Sequence, residues 1–513
     1  MTRVLAAVVG LVITGGQSLT AQRSKDPLAG LAGLDRYVEQ AMAAWGVPGL
    51  SIAIVRGDST IVARGYGVRR AGEPARVDPE TIFAIGSNSK AFTTAALALL
   101  VEEGKLAWGD PVIRHLPWFQ LADPWITRNL DLRDLVSHRS GVARHDALWY
   151  ATSRSTEDVV RQLRFVETEV PFRTGWLYNN ALYLTSGLII ERLSGKPWDQ
   201  FVTERIFRPL RMTRASTTIR GLEGAANVAR PHMMLDGKVE AVPYRNIDNA
   251  GPAGSINASA TDMARWIRFQ IDSGRVDGQP LLAPRQFAEM WRGRAVIQDP
   301  LYRSLFGPGE LVEYGLGWFI WLHRQHKVIL HGGNIDGMSA LVSFIPDQRV
   351  GIVVLTNMNQ SFVHAGITRW VYDRLLGGPD DDWSGKTLAL LKAAETAGAG
   401  QAEKWKSERV AGTAPSLPLD RYAGQYVDSL YGRIEVRSSR AGLLLDMDPG
   451  HQAELTHWHF DTFRALFRDP TMNEGSNFVT FRLNSRGEVE GVKVAGFTEY
   501  SRRSPRGHPV RAP

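Results

Sequence analysis

The pattern of apolar runs broken by polar turns predicts two hairpins far apart in the chain. Ser51-Ile52-Ala53-Ile54-Val55 enters a Gly57-Asp58-Ser59 turn and returns as Thr60-Ile61-Val62-Ala63, a hairpin within Leu50 to Val68. The second runs from Ala340-Leu341-Val342-Ser343-Phe344-Ile345 through Pro346-Asp347-Gln348 into Val350 to Leu355. Strands joined this tightly are antiparallel. Between them the patterns are mostly helical. From about Leu28 to Gly378 the chain therefore predicts an α+β fold: one antiparallel sheet assembled from both ends of this region, flanked by helices, with an inserted helical lobe.

After this region the pattern changes twice. Residues 379–416 are rich in Ala, Gly, Lys and Glu and close on Pro415 and Pro418, which reads as a partly helical linker. Residues 417–504 turn to short strands. Val479, Phe481 and Leu483 alternate, Asn484-Ser485-Arg486-Gly487 turns, and Val489 to Val494 returns. Such a stretch suits a small all-β sandwich or barrel. At the other end, Arg3 precedes an apolar run from Val4 to Ile13 that is short for a membrane span, and Ser18-Leu19-Thr20-Ala21 follows. Residues 1–21 read as a signal peptide cut near Ala21, so the mature protein is expected to be exported, without stable membrane insertion. The competing reading is an uncleaved anchor.

Composition narrows the classes. Cysteine is absent, which removes disulfides, thiolate metal sites and a cysteine nucleophile. A net charge of +7 spread over 513 residues is a weak field, and the basic residues form no stripe with interleaved aromatics, so nucleic acid is not an expected partner. H-E-x-x-H and G-x-S-x-G are both absent. His457-Trp458-His459 would place two imidazoles on one strand face but has no third ligand nearby. Gly385-Lys386-Thr387 resembles the end of a P-loop, with Asp380 where the first glycine belongs.

Three short elements can carry chemistry. Ser87-Asn88-Ser89-Lys90 opens an apolar helix, and Ser87 is the only serine with a lysine at plus three. The two share a helix face, and a buried amine can take the hydroxyl's proton. Standing alone, the pair is equally readable as a capping serine and a surface lysine. Tyr178-Asn179-Asn180 opens a second apolar helix. A tyrosine can relay a proton and an amide can orient a carbonyl, but Tyr244-Arg245-Asn246 has the same spacing. His331-Gly332-Gly333 follows an apolar run and precedes the second hairpin; the glycines allow close approach of a ligand or backbone. His364-Ala365-Gly366 repeats the spacing where a helix begins.

In this order and context the three elements resemble the serine β-lactamase and penicillin-binding-protein superfamily, in its class C-like branch of D-alanyl-D-alanine carboxypeptidases, D-aminopeptidases and esterases. Ser87 to Lys90 matches S-x-x-K. Tyr178-Asn179-Asn180 matches Y-x-N, and His331-Gly332-Gly333 stands where K-T-G or H-x-G is found. Leu132 to Gly141, Ala253-Gly254-Ser255 and Tyr314 to Trp318 are similar as well. The tail resembles the lipocalin-like domain of some of these peptidases. The resemblance implies a serine hydrolase acting through an acyl-enzyme on a small-molecule or peptide substrate, D-amino-acid peptides among the candidates. Ser87 is then the nucleophile, Lys90 and Tyr178 share the base role, and Asn180, His331, Gly333 and Asn334 bind substrate. The backbone N–H groups of Ser87 and Asn334 form the oxyanion hole. No metal or organic cofactor is implied, and the oligomeric state is not set. The alternatives are a β-lactamase and a non-catalytic penicillin-binding sensor. Histidine at 331, mostly neutral at pH 7 unless a neighbouring carboxylate charges it, predicts weak β-lactamase activity relative to peptidase or esterase activity.

Overall fold

The structure is a computed structural model and describes residues 28–503 apart from 223, 301, 304–310, 440–441, 448–450, 474–476 and 498. The signal peptide expected over residues 1–21 lies outside the described residues.

The two hairpins of the sequence pattern do join into one sheet. Its strands in chain order are β1 (Gly49–Arg56), β2 (Ser59–Gly67), β3 (Ala295–Val296), β4 (Glu313–Tyr314), β5 (Phe319–His323), β6 (His326–Ile335), β7 (Met338–Ile345) and β8 (Val350–Thr356). In space they run β2-β1-β8-β7-β6-β5-β4-β3. The junction is the antiparallel β1–β8 pair, where Ile54 faces Ile352 and Ile52 faces Val354. The apolar run Ser51 to Val55 does not alternate with polar residues because both faces of β1 are covered. Ile52 and Ile54 pack toward α1 (Leu34–Trp45) and α5 (Val363–Leu376). Ala53 and Val55 belong to the larger core on the other face, which also holds α2 (Ser89–Glu102), α3 (Asn180–Ser194) and α4 (Ala260–Ile271).

Helix α2 is the axis of that core. Every residue from Ser89 to Leu100 is buried. Apolar and small side chains surround it on all sides, as a core helix requires. Its interior hydroxyls are paired: Thr93 Oγ1 donates to Pro252 O at 2.7 Å and Thr94 Oγ1 to Lys90 O at 3.0 Å.

The stretch read as a partly helical linker contains one helix, α6 (Trp383–Ser407). Its start is pinned to the first domain rather than left as a tether. Trp383 Nε1 donates to Asp373 Oδ2 at 2.8 Å, and Trp45 Nε1 donates to Ser384 Oγ at 2.9 Å. Beyond it, β9 (Gly424–Asp428), β10 (Gly432–Ser439), β11 (Gly442–Asp446), β12 (Gln452–His459), β13 (Thr462–Phe467), β14 (Phe478–Leu483), β15 (Val489–Val494) and β16 (Glu499–Arg502) close into a barrel. The barrel is sealed where Tyr426 pairs with Arg502. The alternation of the sequence becomes inward apolar and outward polar positions, which leaves no open sheet edge.

The His457-Trp458-His459 pair is not two imidazoles on one smooth strand face. A register shift falls between His457 and His459. His457 bonds Phe460 O at 2.9 Å, and His459 Nδ1 accepts from Val410 N at 3.3 Å. Among the described residues no group of three or more His, Asp or Glu is arranged to hold a metal ion, and no helix is long and apolar enough to cross a membrane.

Candidate active site

Two elements meet edge to face to make the site. The turn Gly86–Asn88 precedes α2 and presents Ser87, and the second half of β6 passes beside it. Two glycines permit the contact. Gly86 has φ +52°, and a Cβ there would lie 2.7 Å from Asn334 N. A Cβ on Gly333 would lie 1.8 Å from Ile85 O. Gly333 thus brings strand and turn together at a distance no side chain allows. Asn88 Nδ2 donates to Ile85 O at 2.8 Å and Ser89 Oγ to Gly86 O at 2.8 Å, which holds the turn's shape.

Lys90, in the first turn of α2, is fully buried. Its Nζ lies 3.1 Å from Ser87 Oγ, 2.7 Å from Asn180 Oδ1 and 2.8 Å from Ala253 O. As an ammonium it donates to all three. As a neutral amine it donates to Asn180 and Ala253, whose oxygens can only accept, and its lone pair is left facing the Ser87 hydroxyl proton. Burial favours the second state by pushing the Lys90 pKa well below the ordinary lysine value; the Asp146 carboxylate opposes that shift and the Arg144 guanidinium adds to it. Tyr178 shares a cavity wall with Ser87, and its ring stands 4.8 Å from Lys90 Nζ. Burial raises its pKa well above that of free tyrosine, so the phenol keeps its proton at neutral pH.

The structure therefore brings Ser87, Tyr178, Asn180, His331, Gly333 and Asn334 to the wall of one cavity of about 540 Å³, with Lys90 buried behind Ser87 and Asn180. Their surroundings differ from a list of free substrate contacts. The Asn180 amide is already engaged at both ends, with Lys90 on Oδ1 and Asp146 Oδ1 accepting from Nδ2 at 3.0 Å, so one N–H remains for a ligand. The Asn334 side chain is tied back, accepting from Ser339 Oγ at 3.0 Å and Gln360 N at 2.8 Å. His331 is 1% exposed, with Nε2 2.9 Å from the Tyr314 hydroxyl and Nδ1 against Gly332 O. The carbonyl can only accept, so Nδ1 carries the proton and Tyr314 donates to Nε2. Burial, with a smaller contribution from nearby Lys90, pushes the His331 pKa down to about 3. The neighbouring carboxylate that would charge it is absent from its partners, and the imidazole is neutral.

Several residues of the site carried no distinctive signal. Arg144 and Asp146 form an ion pair at 2.6 Å; Asp146 holds Asn180, and the Arg144 guanidinium lies 5.4 Å from the Tyr178 ring centre. In the sequence they are ordinary charged loop residues. His138 and Tyr314 lay inside the family-like stretches but without a role. The His138 ring sits 4.1 Å from that of Tyr178, and its Nδ1 accepts from Asn179 N at 3.1 Å, so it fixes the start of α3. Tyr244-Arg245-Asn246, the competing motif, lies elsewhere: Tyr244 donates to Ala229 O at 2.6 Å, and Arg245 forms ion pairs with Asp336 and Asp469.

Known proteins share this framework. Unguisins hydrolase ungD′ of Aspergillus campestris is 28% identical over 419 residues, 78% of this chain and 76% of its own. The octameric penicillin-binding protein homologue from Pyrococcus abyssi superimposes with a TM-score of 0.60 at 21% identity, covering 92% of this chain and 99% of that one. A D-stereospecific amidohydrolase from Streptomyces sp. does so with a TM-score of 0.54 at 22% identity, covering 68% of this chain and 99% of its own. At such identities the two structures establish the shared fold. Residues 408–509, which hold the barrel, match a domain of unknown function (DUF3471). Residues 34–374, the part that builds the sheet and the cavity, match the Beta-lactamase family, and the chain belongs to that family.

Proposed function

We propose that the protein is an exported serine hydrolase that cleaves peptide, amide or ester bonds through an acyl-enzyme on Ser87. The observation that carries the reading is the buried Lys90 amine 3.1 Å from Ser87 Oγ, with its other two contacts made to oxygens that only accept. Lys90 takes the Ser87 proton as Oγ bonds to the substrate carbonyl carbon. The carbonyl oxygen, now negative, is received by the backbone N–H groups of Ser87 and Asn334. Tyr178, a neutral phenol on the cavity wall beside Ser87, passes a proton to the leaving nitrogen or oxygen, and the proton on Lys90 replaces it. The C–N or C–O bond breaks. Water then adds to the ester carbon and gives its proton to the same pair; the bond from that carbon to Ser87 Oγ breaks, the pair returns the proton to Oγ, and the acid leaves.

Among acyl substrates, D-amino-acid peptides and simple esters fit better than β-lactams. A neutral His331 supplies no fixed positive charge for a β-lactam carboxylate. A charged hydrogen bond of that kind is worth about 1.5–3 kcal/mol, roughly ten to a hundredfold. Removal of residues 1–21 on export completes the reading, motivated by the Arg3, Val4 to Ile13 and Ala21 pattern.

Intact-mass spectrometry during turnover of a D-amino-acid p-nitroanilide, a p-nitrophenyl ester and a cephalosporin tests it. The expected result is a transient acyl adduct, lost in Ser87→Ala, with the cephalosporin the slowest to turn over. A stable adduct without turnover on every substrate would mean a sensor, and unchanged turnover by Ser87→Ala would refute the nucleophile. Secreted protein beginning near Gln22 is the expected N-terminus; intact Met1 in a membrane fraction would overturn export.

A further inference from the structure

The cavity at Ser87 continues around the edge of the sheet. β5 pairs with β6 only as far as Phe319 opposite Leu330, so residues 331–335 have no strand partner on that edge among the described residues. Alternation along β6 turns Ile329 into the α2 core and Leu330 into the α5 core. By the same period, Gly332 faces α5. On that side the cavity is walled by Phe319, Trp321, Leu330 and Leu341 and reaches His364 and Thr368 of α5.

Two features mark this lobe as a place for a ligand rather than a packing gap. A Cβ added at Gly332 would meet only Ala340 O at 3.8 Å and Leu341 Cδ1 at 3.9 Å, so the missing side chain is the doorway. His364 and Thr368, one helical turn apart, are 7% and 4% exposed, yet His364 Nδ1 and Thr368 Oγ1 have no hydrogen-bond partner among the described residues. A buried polar atom without a partner is costly, and a ligand that supplies the partner recovers that cost. Burial holds His364 neutral, with its pKa near 3. The Arg369 guanidinium at the lobe is stacked against Trp321 and Trp383, at 4.8 and 4.5 Å from their rings.

We propose that this lobe is a subsite for one aromatic side chain bearing a hydroxyl or ring N–H, tyrosine- or tryptophan-like, on an extended substrate lying along the free edge of β6. Alternate side chains of such a strand point to opposite faces of the sheet. When one residue offers its carbonyl to Ser87, a neighbour enters past Gly332, lies between the apolar walls, and meets Thr368 and His364 at its tip. The subsite deepens the serine-hydrolase reading by naming a substrate class, and it rests on that reading only for the reaction.

Binding without turnover separates the two. Full-length Ser87→Ala is titrated by ligand-observed NMR with the N-acetyl amides of tyrosine, phenylalanine and alanine, each as both enantiomers. The tyrosine amide of one enantiomer is expected to bind at least tenfold more tightly than the alanine amide. Adding Gly332→Leu, or Ala365→Leu from the helix side should the first not fold, removes that preference. Thr368→Val removes the preference for tyrosine over phenylalanine and keeps that for phenylalanine over alanine. Equal binding of tyrosine and alanine amides, a preference untouched by both blocking variants, or tighter binding of N-acetyl-glutamate than of the tyrosine amide overturns the subsite. A failure of Ser87 as nucleophile would appear in turnover and leave these binding results standing.

Discussion

The cleft of the first domain and the inside of the C-terminal barrel are both enclosed by sheet, yet they are filled in opposite ways. The barrel is packed with side chains. Tyr422, Tyr426, Phe463 and Phe481 interlock, with ring centres 4.9 Å apart for Tyr422–Phe481 and 5.6 Å for Phe463–Phe481. Tyr426 donates to Tyr422 O at 2.6 Å, and Tyr422 donates to Asp461. The cleft instead buries Lys90, His331 and His138, whose pKa values burial lowers, and leaves about 540 Å³ open. The difference teaches where to look for a role of the barrel. Likeness to a lipocalin suggests an internal ligand, but a core of interlocked aromatics suits stability. What the barrel offers the site lies in its loops. Tyr431 meets His145 Nδ1 at 2.7 Å, between Arg144 and Asp146 of the cleft. Asp469 and Thr471 hold Arg245, which also binds Asp336 just past the end of β6.

The sharpest break is Ser87→Ala. It should lower turnover of p-nitrophenyl esters by roughly 10⁴-fold or more while leaving the melting temperature unchanged, because it touches chemistry and almost no packing. Phe481→Ala is its mirror image. It should cost about 3–5 kcal/mol of barrel stability in denaturant unfolding, with kcat on a small ester preserved in the folded protein. Equal damage to turnover and stability from either variant would erase the contrast. Arg245→Ala tests the junction. Its side chain is 17% exposed, and its partners Asp336 and Asp469 are 11% and 22% exposed. Leaving them unpaired should cost about 2 kcal/mol and raise KM more than it lowers kcat, since Asp336 shapes the wall and not the proton path.

His331→Gln sharpens the account of the cleft. With a folded pKa near 3, His331 stays neutral from pH 5 to 8. The acid limb of the kcat/KM profile, assigned to Lys90, should therefore not move in the variant. The sign for stability follows from proton uptake. The unfolded imidazole, near 6.5, binds a proton that the folded one refuses, so its contribution is complete above pH 6.5 and is lost as pH falls toward 3. At pH 5 that loss is about 2 kcal/mol, and the melting temperature of the variant should drop less than that of the wild type between pH 7 and pH 5. The smallest effect is expected from Tyr431→Phe. It deletes one hydrogen bond to His145, worth about 1 kcal/mol, and should change KM by no more than about twofold in steady-state assays.

Much of this was legible in the residues. Apolar runs broken by turn residues at Ser51 to Ala63 and Ala340 to Leu355 exposed the hairpins, and Ser87-x-x-Lys90 on an apolar helix pointed to an amine facing a hydroxyl, because such patterns are complete within ten or twenty residues. Family likeness placed Tyr178 and His331 beside them. What lay beyond the sequence depends on burial and on partners far along the chain. Asn180 contacts Lys90 across 90 positions, and His145 meets Tyr431 across 286. The charge state of His331 could be argued either way from the sequence, and the enclosure around Tyr314 and Gly332 decided it. Likewise His457 and His459 looked like a pair until a bulge separated them. Local pattern determined the elements and the order of the reactive groups. Only tertiary packing determined which of those groups lost their water, hence which are neutral, which are already paired, and where Gly332 leaves room for something else.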